Sequence, residues 1–247
     1  MWEIISRKQR TFLLFPEKGI RMILVATNWK AGIDMKYFEF GQENKELMVI
    51  LHGGGVCYRG ALPVAEEMAK FYHVVLVAYD GFNPDEPETE FKSVQDEARR
   101  LGDYIVEHYD GKIYIFFLTG FTYRLIGKAG SIRRKIVCRM MGRSEESLNR
   151  IIYKDATWRS WVNQDKCMIG RHKNLELFER TDMYIWHGIK GSTEKKLAAH
   201  IKEWQDKGYV FTHKIFPDMG HGTLAGEHLE RFAEEVRAAH ECSLARL

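Results

Sequence analysis

Cysteine, proline and long apolar runs are all scarce in this chain, and each scarcity removes a class of protein. The four cysteines (Cys57, Cys138, Cys167 and Cys242) stand far apart and form no CxxC pair. That leaves no thiolate zinc motif and no disulfide framework, so a reducing compartment is expected, with the cytoplasm as the location. Five prolines in 247 residues supply no Pro-rich linker. No internal repeat or low-complexity tract divides the chain. No apolar run reaches the ~20 residues needed to span a bilayer. The opening stretch, MWEIISRKQRTFLLFPEKG, has neither the apolar length nor the small-residue cleavage pattern of a signal peptide. Also missing are a GxxxxGK[ST] phosphate loop and any metal-ligand cluster, so no cofactor is expected. Gly127-Lys128 lacks the earlier glycine of such a loop, because Thr122 stands there.

Excess charge of one sign is absent too. Lysine and arginine total 37 against 34 acidic residues, a net charge of +3, which assigns neither a nucleic acid nor a membrane as partner. One segment is locally basic: Arg124, Lys128, Arg133, Arg134, Lys135, Arg139 and Arg143, with no acidic residue between them. Only Tyr123 at its edge is aromatic. Charge without aromatic interleaving describes a solvated helix face or lid better than a nucleic-acid surface.

What is present is an ordinary globular composition, 45% apolar and 29% charged, which excludes wholesale disorder. Leu47–Leu51 (LMVIL) has the length of a buried strand and stops at His52-Gly53-Gly54-Gly55. Ala65–Tyr72 reads as a helix. His73–Ala78 (HVVLVA) is a second strand, ended by Tyr79-Asp80-Gly81. Ser93–His108 reads as an amphipathic helix with Ser93 as its cap and Val94, Ala98, Leu101, Ile105 and Val106 on its apolar face. Lys112–Leu118 (KIYIFFL) is a third apolar run. Later come a strand at Met183–Trp186, a helix at Glu194–Lys207, a strand at Tyr209–Phe216 and a final helix at Glu227–His240. Continuous apolar strands alternating with helices predict an α/β fold, a doubly wound, mostly parallel sheet flanked by helices. Ligands in such sheets bind at the carboxyl ends of the strands. Ile151–Asp155 is a further candidate strand, and Trp158 to Trp161 fit a lid or insertion.

The order of motifs resembles the α/β-hydrolase superfamily, in particular its small bacterial lipase/esterase-like and serine-peptidase-like members. The resemblance covers roughly residues 40–122 and 180–240. It implies a single domain over 1–247, with a lid or insertion around 124–180. In that family an HGG-type turn after a strand helps form the oxyanion hole, and here Gly53, Gly54 and Gly55 follow LMVIL. Glycines suit the task because their amides must face a substrate oxyanion without side chains in the way. The family's nucleophile elbow, G-x-S-x-G, should follow KIYIFFL. Gly120-Phe121-Thr122-Tyr123-Arg124 stands there, so Thr122 occupies the nucleophile position and Arg124 replaces the closing glycine.

Two readings of that departure stand: Thr122 is an unusual nucleophile, or the elbow has decayed and catalysis with it. Ser144 in Gly142-Arg143-Ser144 fits a helix cap better, and Ser131 and Ser192 have the wrong spacing. The family's catalytic histidine precedes the last helix, which matches His221 in Gly220-His221-Gly222. For the acid, no carboxylate follows MYIW, and Asp155 is the candidate. Asp182 precedes its strand, Asp218 is expected to shape the loop, and Asp80 matches a position that organises the loop network. The resemblance thus implies a hydrolase of small carboxylic esters or amides. The alternative is a catalytically degenerate relative that binds a small molecule or a partner.

Overall fold

The computed structural model describes residues 11–12, 24–25, 35–53, 55–118, 135, 138, 145–146, 155–169, 182–188, 201–208, 210–220 and 223–246. The strands are β1 (Thr11–Phe12), β2 (Leu24–Val25), β3 (Lys36–Phe40), β4 (Leu47–Leu51), β5 (His73–Ala78), β6 (Ile115–Leu118), β7 (Tyr184–Gly188) and β8 (Thr212–Phe216). The helices are α1 (Leu62–Met68), α2 (Val94–Tyr109), α3 (Trp158–Ile169), α4 (Thr223–Glu227) and α5 (Leu229–Leu244), and residues 201–206 are also helical.

The two apolar runs become the adjacent central strands of a four-stranded sheet in the order β3-β5-β4-β6. Strand β4 pairs parallel with both β5 and β6, and β3 closes one edge antiparallel to β5. Side chains alternate between the faces of a strand. Met48, Ile50, Val74, Leu76 and Ala78 therefore share one face, packed on Val64, Ala65 and Met68 of α1 and on Phe232, Ala233 and Val236 of α5. Leu47, Val49, Leu51, Val75 and Val77 share the other, packed on Leu101 and Ile105 of α2. Burial on both faces is why these strands read as unbroken apolar runs, each such side chain contributing ~1.5–3 kcal/mol. Two smaller pairs stand beside this sheet, β1 antiparallel to β2 and β7 parallel to β8.

Helix α2 begins where the sequence placed it. The Ser93 hydroxyl accepts from the Asp96 N–H at 3.1 Å, and Asp96 and Glu97 put negative charge on the first turn. Its buried face differs from the expected one. Val106 is 40% exposed, whereas Glu97 is buried beside Leu101, Gly102 and Ile105. The cause is an ion cluster. Arg100 reaches Asp80 at the end of β5 (2.8 Å) and Glu97 (2.6 Å), which turns the Glu97 edge of the helix inward and the Val106 edge outward. Burial pushes the Glu97 carboxyl up to about 8 against the pull of Arg100. On the same helix Tyr104 stacks on Tyr37 of β3, and its hydroxyl donates to Glu39 at 2.6 Å.

The chain order locates the crevice. From β4 the chain crosses by α1 to β5, then returns by α2 past β4 to β6, and the two helices lie on opposite faces. The direction of winding thus reverses between β4 and β6. Their carboxyl ends flank the place where ligands enter open α/β sheets. Ile105→Ala is expected to cost ~2–5 kcal/mol in urea unfolding, and Val106→Ala within ~0.5 kcal/mol of zero. Equal losses would mean that the helix face is misassigned.

Candidate functional site

At the carboxyl end of β4 the first residue of the turn is a tie. His52 is 1% exposed; its Nε2 accepts the Tyr79 N–H from the end of β5 at 3.2 Å. That bond leaves the proton on Nδ1, which donates to the Gly53 carbonyl at 3.2 Å. Burial lowers the imidazole to about 4, so the ring is neutral at physiological pH and serves as a fixed donor and acceptor. The turn then closes with the Val56 N–H on the Gly53 carbonyl at 3.2 Å. Gly55 has φ of 72°, in the left-handed region where glycine carries no steric penalty. Its N–H does not face an empty crevice. It donates to Oε1 of Gln164 at 2.8 Å.

Gln164 belongs to α3, which docks across the loops that follow β4 and β5. Ser160 Oγ accepts the Phe91 N–H at 3.1 Å, Asn163 Nδ2 donates to the Phe91 carbonyl at 3.0 Å, and Trp161 meets Phe82 edge-on at 5.3 Å. Cys57, Phe82, Phe91, Ala156 and Trp161 form a small apolar cluster beneath the helix. Gly81 (φ 69°) lies so close to Ser160 that a Cβ there would overlap the hydroxyl.

A second loop follows β8. Phe216 and Met219 are buried in the core that packs α1 and α5, and Leu224 resumes that burial on the far side of residues 221–222. Asp218 pairs with Arg231 of α5 at 3.1 Å in an exposed contact. At the end of β7, Gly188 abuts the backbone of Met219 and Gly220. A Cβ at 188 would run into both carbonyl oxygens, so only glycine permits this approach. The segment leading into position 221 is thereby clamped between a core anchor and a strand end.

The structure brings Gly53 and Gly55 to the winding reversal. Gly54, Thr122 and His221 lie outside the described residues, as do Ser144 and most of the basic stretch. Asp155 is exposed and sits in irregular backbone three residues ahead of α3. Asp182 precedes β7 and pairs with Arg246 at 3.3 Å. Asp80 is buried against Arg100. Sequence reasoning missed Gln164. The contact joins residues 109 positions apart, and no local spacing signals it. Among the described residues no group of three or more His, Cys, Asp or Glu could hold a metal ion, and no helix is long and apolar enough to cross a membrane.

No protein-family model matches the chain, and no curated protein matches it in sequence. Solved structures do. An α/β hydrolase family protein of Desulfitobacterium hafniense superposes with a TM-score of 0.59 at 15% identity, covering 82% of this chain and 99% of that one. A lipase-esterase related protein of Clostridium acetobutylicum gives 0.56 at 12% identity, covering 83% and 99%. A 1H-3-hydroxy-4-oxoquinoline 2,4-dioxygenase gives 0.59 at 12% identity, covering 83% and 95%. At such identities the likeness concerns the fold: the chain has the α/β-hydrolase fold. That two esterase- or hydrolase-type proteins and a dioxygenase share it shows that the fold alone does not fix the reaction.

Two measurements test this geometry. Between pH 6.5 and 4 the unfolded chain takes up a proton at His52 that the folded chain refuses, so stability falls as pH drops through that window. His52→Gln cannot titrate; the stability difference between wild type and variant should shrink by about 3 kcal/mol from pH 7 to pH 4. A flat difference would show that His52 is not held neutral by burial. Separately, Gly188→Ala should cost ~1–3 kcal/mol in urea unfolding, because one of two close backbones must move. An unchanged midpoint would rule out the clamp.

Proposed function

We propose that this chain hydrolyses small carboxylic esters or amides, with His221 as general base, Thr122 as nucleophile and Asp155 as the acid that orients the imidazole. The observation that carries the reading is the left-handed Gly55, whose amide stands at the winding reversal on a turn pinned by His52. An N–H fixed there suits an oxygen that gains negative charge as an acyl carbon becomes tetrahedral, and in this proposal Gly53 and Gly54 are assigned the same task.

In this scheme the Thr122 hydroxyl attacks the acyl carbon and its proton passes to His221. The tetrahedral oxyanion is held by the turn amides. Collapse returns the proton from His221 to the departing alcohol or amine. Water, deprotonated by His221, then releases the acid and restores Thr122. The clamp of Gly188 on Met219-Gly220 supports a base at 221, since a general base needs a fixed approach. Asp155 is exposed, so its charge is screened and its share in orienting the ring is the smallest of the three.

The same reading treats the four-stranded sheet and the β7–β8 pair as parts of one doubly wound sheet in a single domain over 1–247. Helix α3 is then part of the lid over 124–180. The free thiols of Cys57 and Cys242 fit a reducing cytoplasm.

One observation favours the second reading, a non-catalytic binding protein: the Gly55 N–H already has a protein partner. Hydrolysis of a short-chain p-nitrophenyl ester by wild type, His221→Ala, Thr122→Ala and Asp155→Asn separates the two. The expected result is turnover in wild type, a loss of ~10²–10⁴-fold in His221→Ala, a comparable loss in Thr122→Ala and a smaller one in Asp155→Asn. Rates equal to the buffer blank for all four proteins would sink the hydrolase and leave the binding protein.

A further inference from the structure

The Gly55 N–H is bonded to a carboxamide oxygen, chemically the same acceptor as the acyl oxygen of an amide substrate. Gln164 is 5% exposed, so this is a buried and directed contact. The helix that carries it has other docking contacts. Ser160 and Asn163 hold both backbone groups of Phe91, Trp161 packs on Phe82, and Gly81 admits Ser160 at close range. Ser160 and Gln164 are four residues apart on one helix and so lie on the same face, one turn from each other. The anchoring turn can therefore stay seated while the Gln164 side chain alone rotates away.

We infer that Gln164 is an internal occupant of the site that binds a carbonyl or carboxylate oxygen, and that a ligand enters by displacing its side chain from the Gly55 amide. The inference rests on the proposed site at the β4 turn, but it concerns binding and does not require turnover. It identifies the ligand class: a small molecule presenting an acyl or carboxylate oxygen, able to replace one hydrogen bond with a stronger or equal one. A carboxylate competes best, because hydrogen bonds to a charged acceptor are the stronger ones. Gln164 also sets a threshold, since ligands without such an oxygen leave Gly55 bonded to it and gain nothing by entering.

The test uses the full chain and butyrate as the probe, with the Gly55 amide resonance followed by NMR and ester hydrolysis measured alongside. In wild type, saturating butyrate should shift the Gly55 amide and the Gln164 side-chain amide together. Gln164→Ala removes the competitor and should tighten butyrate binding by about tenfold, the scale of one ordinary hydrogen bond. Gln164→Glu keeps an acceptor and adds repulsion, so it should bind butyrate more weakly than wild type. A Gly55 amide that stays unmoved at every butyrate concentration, or equal affinity in wild type and Gln164→Ala, overturns the inference. Tighter binding by Gln164→Ala with no ester hydrolysis by any form upholds it while the hydrolase reading fails. Should Gln164→Ala not fold, the wild-type shifts and the Gln164→Glu affinity decide between the same two outcomes.

Discussion

Strands β4 and β5 have no solvent-facing side: α1 and α5 cover one face and α2 the other. Everything described at their carboxyl ends follows from that enclosure. A strand sealed on both faces can present chemistry only at its tips, and the tips of β4 and β5 are polar backbone that must be satisfied without water. His52 meets this demand by bonding both the Tyr79 amide and the Gly53 carbonyl, which fixes the distance between the two turns. Gln164 meets it for Gly55. The ion cluster of Asp80, Glu97 and Arg100 does the same below the neighbouring loop, at the expense of one turn of regular amphipathic patterning in α2.

This explains which parts of the molecule were legible in the sequence. LMVIL and HVVLVA could be read as strands because double burial removes every polar position from them. The Ser93 cap was legible because capping is a local contact within three residues. The face of α2 departs from its periodicity at Val106 because the side chain that displaces it, Glu97, is drawn inward by Arg100, itself paired with Asp80, a tertiary arrangement that periodicity does not contain. The Gly-rich turn after β4 was legible as a turn, but the part played by His52 was not, because its partner at Tyr79 lies 27 residues away. In the structure His52 is a buried neutral brace. Helix α3 carried only Trp158 and Trp161 as signals, and both its docking surface and Gln164 depend on residues far away in sequence.

The turn after β4 and the loop after β8 are built on different logic. The turn after β4 is held by side chains that could be exchanged for others of similar reach. The loop after β8 is held by backbone against backbone at Gly188, with Met219 and Leu224 as apolar anchors on either side of residues 221–222. Side-chain ties allow small adjustments by rotation, whereas a backbone contact allows almost none. The segment leading into position 221 is therefore held more rigidly than the β4 turn and its Gln164 tie.

The separation of 109 residues between Gly55 and Gln164 also has a consequence for the order in which the molecule assembles. Residues 35–118 hold the whole four-stranded sheet, its Ser93-capped helix and the His52 tie, all of them contacts of shorter range. Closing the longer loop to α3 costs more chain entropy and comes after those contacts. During synthesis the glycine turn leaves the ribosome well before α3, and before the α5 residues that cover one face of its strand. Until α3 docks, the Gly55 amide has water in place of Gln164 as its partner.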